Sequence, residues 1–149
     1  MNNNEVKLLI FSLNGEKYAT DIMDVERILG YETPTELPDS PDFVKGVINY
    51  EDGILPIMSL SAKFNFGDKE IKPEAKIVVI KDNDFKIGII VDNVYEVMDV
   101  KTDLIEKPST IGASISQRYM SGLIRLDDKI VILLDVPKIL NQEEKDQLR

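Results

Sequence analysis

The 149 residues predict an all-β fold with short helices, arranged as two small barrels. Three observations carry that expectation. Four β-prone pairs of runs are each joined by a short turn rich in Asn, Asp or Gly. The second pair, in residues 44–60, returns 76 positions later in residues 121–136, so that Gly46 matches Gly122, Ile48 Ile124, Glu51 Asp127, Ile54 Ile130 and Leu60 Val136. The first and third pairs match at an offset of 69, Lys17 with Lys86, Ala19 with Gly88, Val25 with Val94 and Ile28 with Val97. Each half therefore reads hairpin, connector, loop, hairpin.

Residues 6–20 form the first hairpin around Asn14-Gly15, the favoured two-residue turn. Asp21 can cap a short helix over 22–29, where Ile22, Val25, Ile28 and Leu29 stand at helical spacing and Gly30 ends it. Three prolines in 31–43 impose an extended loop. The second hairpin turns at Glu51-Asp52-Gly53, and a short helix over 61–66 ends at Gly67. The polar stretch 68–74 reads as the seam between halves, the first barrel lying mainly in 16–66 and the second mainly in 76–136, with the terminal segments crossing between or packing on them, all within one domain.

The third hairpin, 76–92, turns at Asp82-Asn83-Asp84, and residues 94–100 alternate weakly. Residues 101–120 are the most loop-like part. The fourth hairpin turns at Asp127-Asp128, and 136–140 open a final helix with a charged tail.

Composition removes several kinds of chemistry. With no cysteine there is no disulfide framework, zinc-thiolate site or thiol nucleophile. With no histidine there is no phosphohistidine and no imidazole base or ligand. Eighteen cationic against 27 anionic side chains leave a net charge of −9, a field that repels nucleic acid and anionic lipid. No apolar run approaches the ~20 residues that span a bilayer, and the start lacks a basic leader, so the cytoplasm is the expected address. The acidic groups at hairpin tips are explained by turn chemistry. Counted from Asp82, the sixth and twelfth loop positions hold Ile87 and Asn93, which rules out an EF-hand. Neither a P-loop nor a GxGxxG is present, and no cofactor is expected.

Val25, Ile28, Val94, Val97 and Met98 follow the matched hairpins. They either fill the two barrel cores or line an apolar groove where the halves meet, a ready acceptor for an amphipathic helix.

Over residues 6–140 the chain resembles the CheW-like coupling proteins of bacterial chemotaxis. The segments that carry the resemblance are FSLNGEKYATDI, GVINYEDGILPIMSL, VVIKDNDFKIGIIVDNVYEV and YMSGLIRLDDKIVILLDVPKIL, in that order and spacing. The resemblance implies two intertwined five-stranded SH3-like barrels, no catalysis, and a scaffold that joins the cytoplasmic tip of a chemoreceptor to the regulatory domain of the histidine kinase CheA. It makes Val25, Ile28, Gly46, Val94, Val97 and Met98 the receptor-groove candidates, with Gly46 allowing a helix close to the backbone. Kinase contacts are expected at barrel edges, and Ile111 is a candidate for a second one.

The family's charge site departs here. Members usually read NLRG where this chain has Asn49-Tyr50-Glu51-Asp52, and a glutamate where it has Arg27. Arg27 and Glu51 are thus expected either to pair with reversed polarity or to be separately solvated. The rivals are a diverged relative that binds one partner, a small-ligand or oligonucleotide barrel, and a carboxylate enzyme. Receiver-bearing CheV and the kinase itself need length or a histidine that this chain does not have, which favours a stand-alone coupling protein.

Overall fold

The computed structural model describes residues 4–67, 70–83, 85–107 and 119–148. In chain order the strands are β1 Glu5–Leu13, β2 Glu16–Asp21, β3 Val25–Gly30, β4 Val44–Tyr50 and β5 Gly53–Ser59. After helix α1 (Leu60–Lys63) come β6 Lys76–Asp82, β7 Phe85–Val91, β8 Asn93–Lys101, β9 Ile105–Glu106, β10 Met120–Leu126 and β11 Lys129–Leu134, then helix α2 (Gln142–Gln147). All four expected hairpins form. Asn14 and Gly15 take positive φ in the first turn, and Glu51, Asn83 and Asp127 do so in the others.

The helix expected over 22–29 does not form. Asp21 does cap, its Oδ1 accepting from the Met23 N–H at 2.9 Å, but only one 3-10 turn follows, Ile22–Asp24. The chain then extends as β3, because Val25 and Ile28 find cross-strand partners in β6 that a helix could not reach. Of residues 136–140, only Val136–Lys138 form a 3-10 turn, and α2 starts afresh behind an Asn141–Glu144 capping box.

Two sheets result, ordered β8-β1-β2-β11-β10-β9 and β3-β6-β7-β5-β4. The six-stranded one has five long strands and the two-residue β9. Each curls until the segment leaving one edge strand reaches the other edge. Chain leaving β8 becomes β9 and pairs with β10, Glu106 opposite Leu123. Chain leaving β3 reaches Thr35, which bridges to Val47 on β4.

Sheet membership does not follow the division at 68–74. Residues 76–91, expected in the second barrel, join the sheet of β3, β4 and β5. The first hairpin joins the other sheet, so each half gives its leading hairpin to its counterpart. Parallel pairs make the exchange: Ile57 opposite Gly88 between β5 and β7, and Leu133 opposite Ala19 between β11 and β2. Those two pairs are the same register by both sequence offsets.

The physical reason lies in strands apolar on both faces. In β1, Leu8 and Ile10 fill the six-stranded barrel, while Leu9, Phe11 and Leu13 enter a larger core. In β6, Ile77 and Val79 fill the five-stranded barrel, while Val78 and Ile80 enter that same larger core. A two-sided strand must be covered twice, by its own barrel and by the neighbouring one. Exchange of hairpins buries both faces, each such side chain being worth about 1.5–3 kcal/mol. The charged tail closes over this shared core through two ion pairs, Lys63 to Glu144 at 2.8 Å and Lys145 to Asp82 at 2.6 Å.

Candidate functional site

The repeat extends to the irregularities. In β3 the register passes from Val25 to Arg27, leaving Glu26 as an extra residue. In β8 it passes from Val94 to Glu96, leaving Tyr95 in the matching place. Bulges re-aim side chains. Here the result is two outer strands, β3 and β8, with equivalent apolar positions.

Directly paired residues of an antiparallel ladder project to one face. Val25 and Ile28 lie opposite Ile80 and Val78, and Val94 and Val97 opposite Phe11 and Leu9. All four of those partners belong to the core between the sheets. Val25 and Val94 pack against that core, whereas Ile28 and Val97 stand 40% and 48% exposed on its outer margins. Val25 and Val94 thus serve the core between the sheets rather than either barrel's own core, while Ile28 and Val97 face solvent.

Met98 and Gly46 lie elsewhere. Met98 is opposite Leu8 and packs inside the six-stranded barrel. Gly46 has φ +139°, and a β-carbon there would stand 2.0 Å from the carbonyl oxygen of Thr35. What comes close to its backbone is this chain's own closing segment rather than a partner's helix. Ile111 lies outside the described residues.

Arg27 and Glu51 do meet, with Nη2 3.9 Å from Oε2, but not as a closed pair. They belong to a cluster at the mouth of the five-stranded barrel. Tyr50 donates its hydroxyl to Glu26 Oε2 at 2.5 Å. Lys86 Nζ lies 3.0 Å from Glu26 Oε1 and 3.3 Å from Glu51 Oε1. The Arg27 guanidinium and the Lys86 ammonium stand 5.6 and 5.7 Å from the Tyr50 ring centre. The Tyr50 hydroxyl, then Lys86, holds the Glu26 carboxyl below its usual range. Burial, then the bond to Glu26, pushes the Tyr50 phenol up, and the bond to Glu26 raises Lys86.

Sequence reasoning missed Glu26, Tyr50 and Lys86. One signal was present: Lys86 stands on β7 between Phe85 and Ile87, which face the shared core, so alternation sends it into the barrel mouth. Among the described residues, no group of three or more acidic side chains is placed to hold a metal ion.

A family model described as a CheW-like domain matches residues 7–144. The chain belongs to the CheW-like family. It is 33% identical over 138 residues to the chemotaxis protein CheW of Klebsiella aerogenes, covering 93% of this chain and 83% of that one. The CheW of Treponema pallidum is 27% identical over 152 residues, with 99% and 89% covered. The crystal structure of the scaffolding protein TtCheW from Thermoanaerobacter tengcongensis superposes with a TM-score of 0.80 at 31% identity, covering 87% of this chain and 88% of that one. The CheW fold and a coupling adaptor's place in chemotaxis follow. No helix among the described residues is long and apolar enough to cross a membrane.

Proposed function

We propose that this CheW-like chain works in the cytoplasm as a non-enzymatic adaptor, holding the helical tip of a chemoreceptor beside the regulatory domain of CheA. What supports this reading is a matched pair of exposed apolar side chains on the two outer strands, Ile28 on β3 and Val97 on β8. Ile28 and Val97 extend the shared core to solvent from equivalent outer strands, with Val25 and Val94 behind them. An amphipathic helix lays its apolar face against such side chains. Side chains pack the interiors of both barrels, which favours a partner on the surface over a ligand in the lumen. Kinase contacts belong to the barrel ends, where Ile54 and Ile130, matched by the repeat, stand exposed at hairpin tips.

The test is calorimetric titration with the receptor tip and with the kinase regulatory domain from the same genome. Ile28→Glu and Val97→Glu place charge on exposed edges without touching a barrel interior. The expected result is receptor binding weakened about tenfold or more with kinase binding retained. Unchanged receptor binding in both variants overturns the groove.

A further inference from the structure

Around Tyr50, two carboxylates share two cations unequally. Lys86 is the nearer cation to Glu51, at 3.3 Å against 3.9 Å for Arg27. Lys86 also holds Glu26, whose second oxygen takes the Tyr50 hydroxyl. Arg27 is left with a loose approach to Glu51 and a place beside the Tyr50 ring, its side chain 55% exposed. A guanidinium offers five N–H donors in a fork that matches a carboxylate. Among the described residues it meets no carboxylate at hydrogen-bond distance.

We propose that Lys86 is a positioning residue: by occupying Glu51 it keeps the Arg27 guanidinium open for a carboxylate side chain of a protein partner. This rests on the adaptor reading for the partner, but not for the competition within the cluster. Without Lys86, Glu51 loses its nearer cation and swings onto Arg27 as a two-point pair, which closes the fork to any outside acid.

The other barrel shows that the fold does not demand this network. The repeat places Lys17, Tyr95, Glu96, Leu126 and Asp127 where Lys86, Glu26, Arg27, Tyr50 and Glu51 stand. Its strands keep the same parallel register and the same bulge. Yet Lys17 lies 4.8 Å above the Tyr95 ring, and among the described residues no ion pair joins Glu96 or Asp127. Barrel closure therefore goes ahead without the four-charge cluster. Its presence at one mouth, with an arginine outermost, suits recognition of an acidic group. The partner's carboxylate also meets balanced charge there, since Glu26 and Glu51 are matched by Lys86 and Arg27.

Two measurements decide it. The first is a stability double-mutant cycle for Arg27→Gln and Glu51→Gln, run in the native background and again with Lys86→Met. Coupling should be near zero natively and should grow once Lys86 is gone; equal coupling in both backgrounds overturns the proposal, whatever the partners do. The second titrates each variant with the kinase regulatory domain and the receptor tip. For the kinase regulatory domain, whose contacts the adaptor reading places at the barrel ends, Arg27→Gln and Lys86→Met should each weaken binding about fivefold, and adding Glu51→Gln to Lys86→Met should restore it. Wild-type binding with no rescue overturns the positioning role. Wild-type binding to neither partner overturns the adaptor reading instead, and with it the carboxylate partner.

Discussion

The carbonyl oxygen of Thr35 occupies the space a β-carbon on Gly46 would need, 2.0 Å from its ideal position. The contact closes the five-stranded barrel: Thr35 and Val47 exchange two backbone hydrogen bonds of 2.9 Å, and Gly46 sits at the bulge beside them. Backbone cannot retreat as a flexible side chain can. At φ +139° an L side chain is strained as well.

Gly46→Ala should therefore lower stability by roughly 2–4 kcal/mol, seen as a fall in Tm of about 5–15 °C. Gly122, its match in the other barrel, has a β-carbon position 2.5 Å from a side-chain atom of Ile105 and 2.9 Å from the Glu106 carbonyl oxygen. Gly122→Ala should cost less, since part of its clash is with a movable side chain. Equal Tm values for Gly46→Ala and wild type would falsify the closure account.

Thr20 is fully buried in β2, and its hydroxyl has no hydrogen-bond partner among the described residues. A buried hydroxyl without a partner costs ~1–3 kcal/mol, and valine keeps the shape without it. Thr20→Val should raise unfolding free energy by about 1 kcal/mol in urea titration, with the slope unchanged. A loss of stability would mean that the hydroxyl is bonded after all.

Glu26 supplies stability that depends on pH with a definite sign. Its carboxyl is held below the usual value by the Tyr50 hydroxyl and then Lys86. The contribution is present above the unfolded value of about 4.3 and is lost as pH falls through the lowered folded one. Wild type should melt above Glu26→Gln at pH 6, and the gap should close toward pH 3. A gap constant across that range would remove the carboxylate from the account.

Asp24 should behave in the opposite sense. Burial, with Asp21, Asp135 and Asp82 nearby, pushes its carboxyl up. Whatever it contributes is present below the unfolded value of about 3.9 and lost as pH rises through the folded one. Asp24→Asn should melt higher than wild type at pH 7 and level with it near pH 3. A lower Tm at pH 7 would show that the charge is being used.

Much of the fold could be read from residue order. Asn14-Gly15 marked a turn because few residues other than Gly and Asn accept positive φ, and the offsets of 69 and 76 marked two related halves. Segment 22–29 misled because Ile22, Val25, Ile28 and Leu29 fit a helical period equally well. Only cross-strand pairing with β6 decided for a strand. In the site, alternation on β7 was enough to aim Lys86, but the turn of Glu26 toward Tyr50 depends on a bulge that no local pattern announces.

By itself, then, the sequence determined the hairpins, the internal repeat, the absence of thiol and imidazole chemistry, and the side-chain charges at Arg27 and Glu51. These are local properties of turns, alternation and side-chain type. Tertiary structure decided which hairpin completes which barrel, since strands apolar on both faces can be covered in more than one way. It also decided which cation Glu51 meets, because that choice is a matter of tenths of an ångström between β3, β7 and the β4–β5 turn.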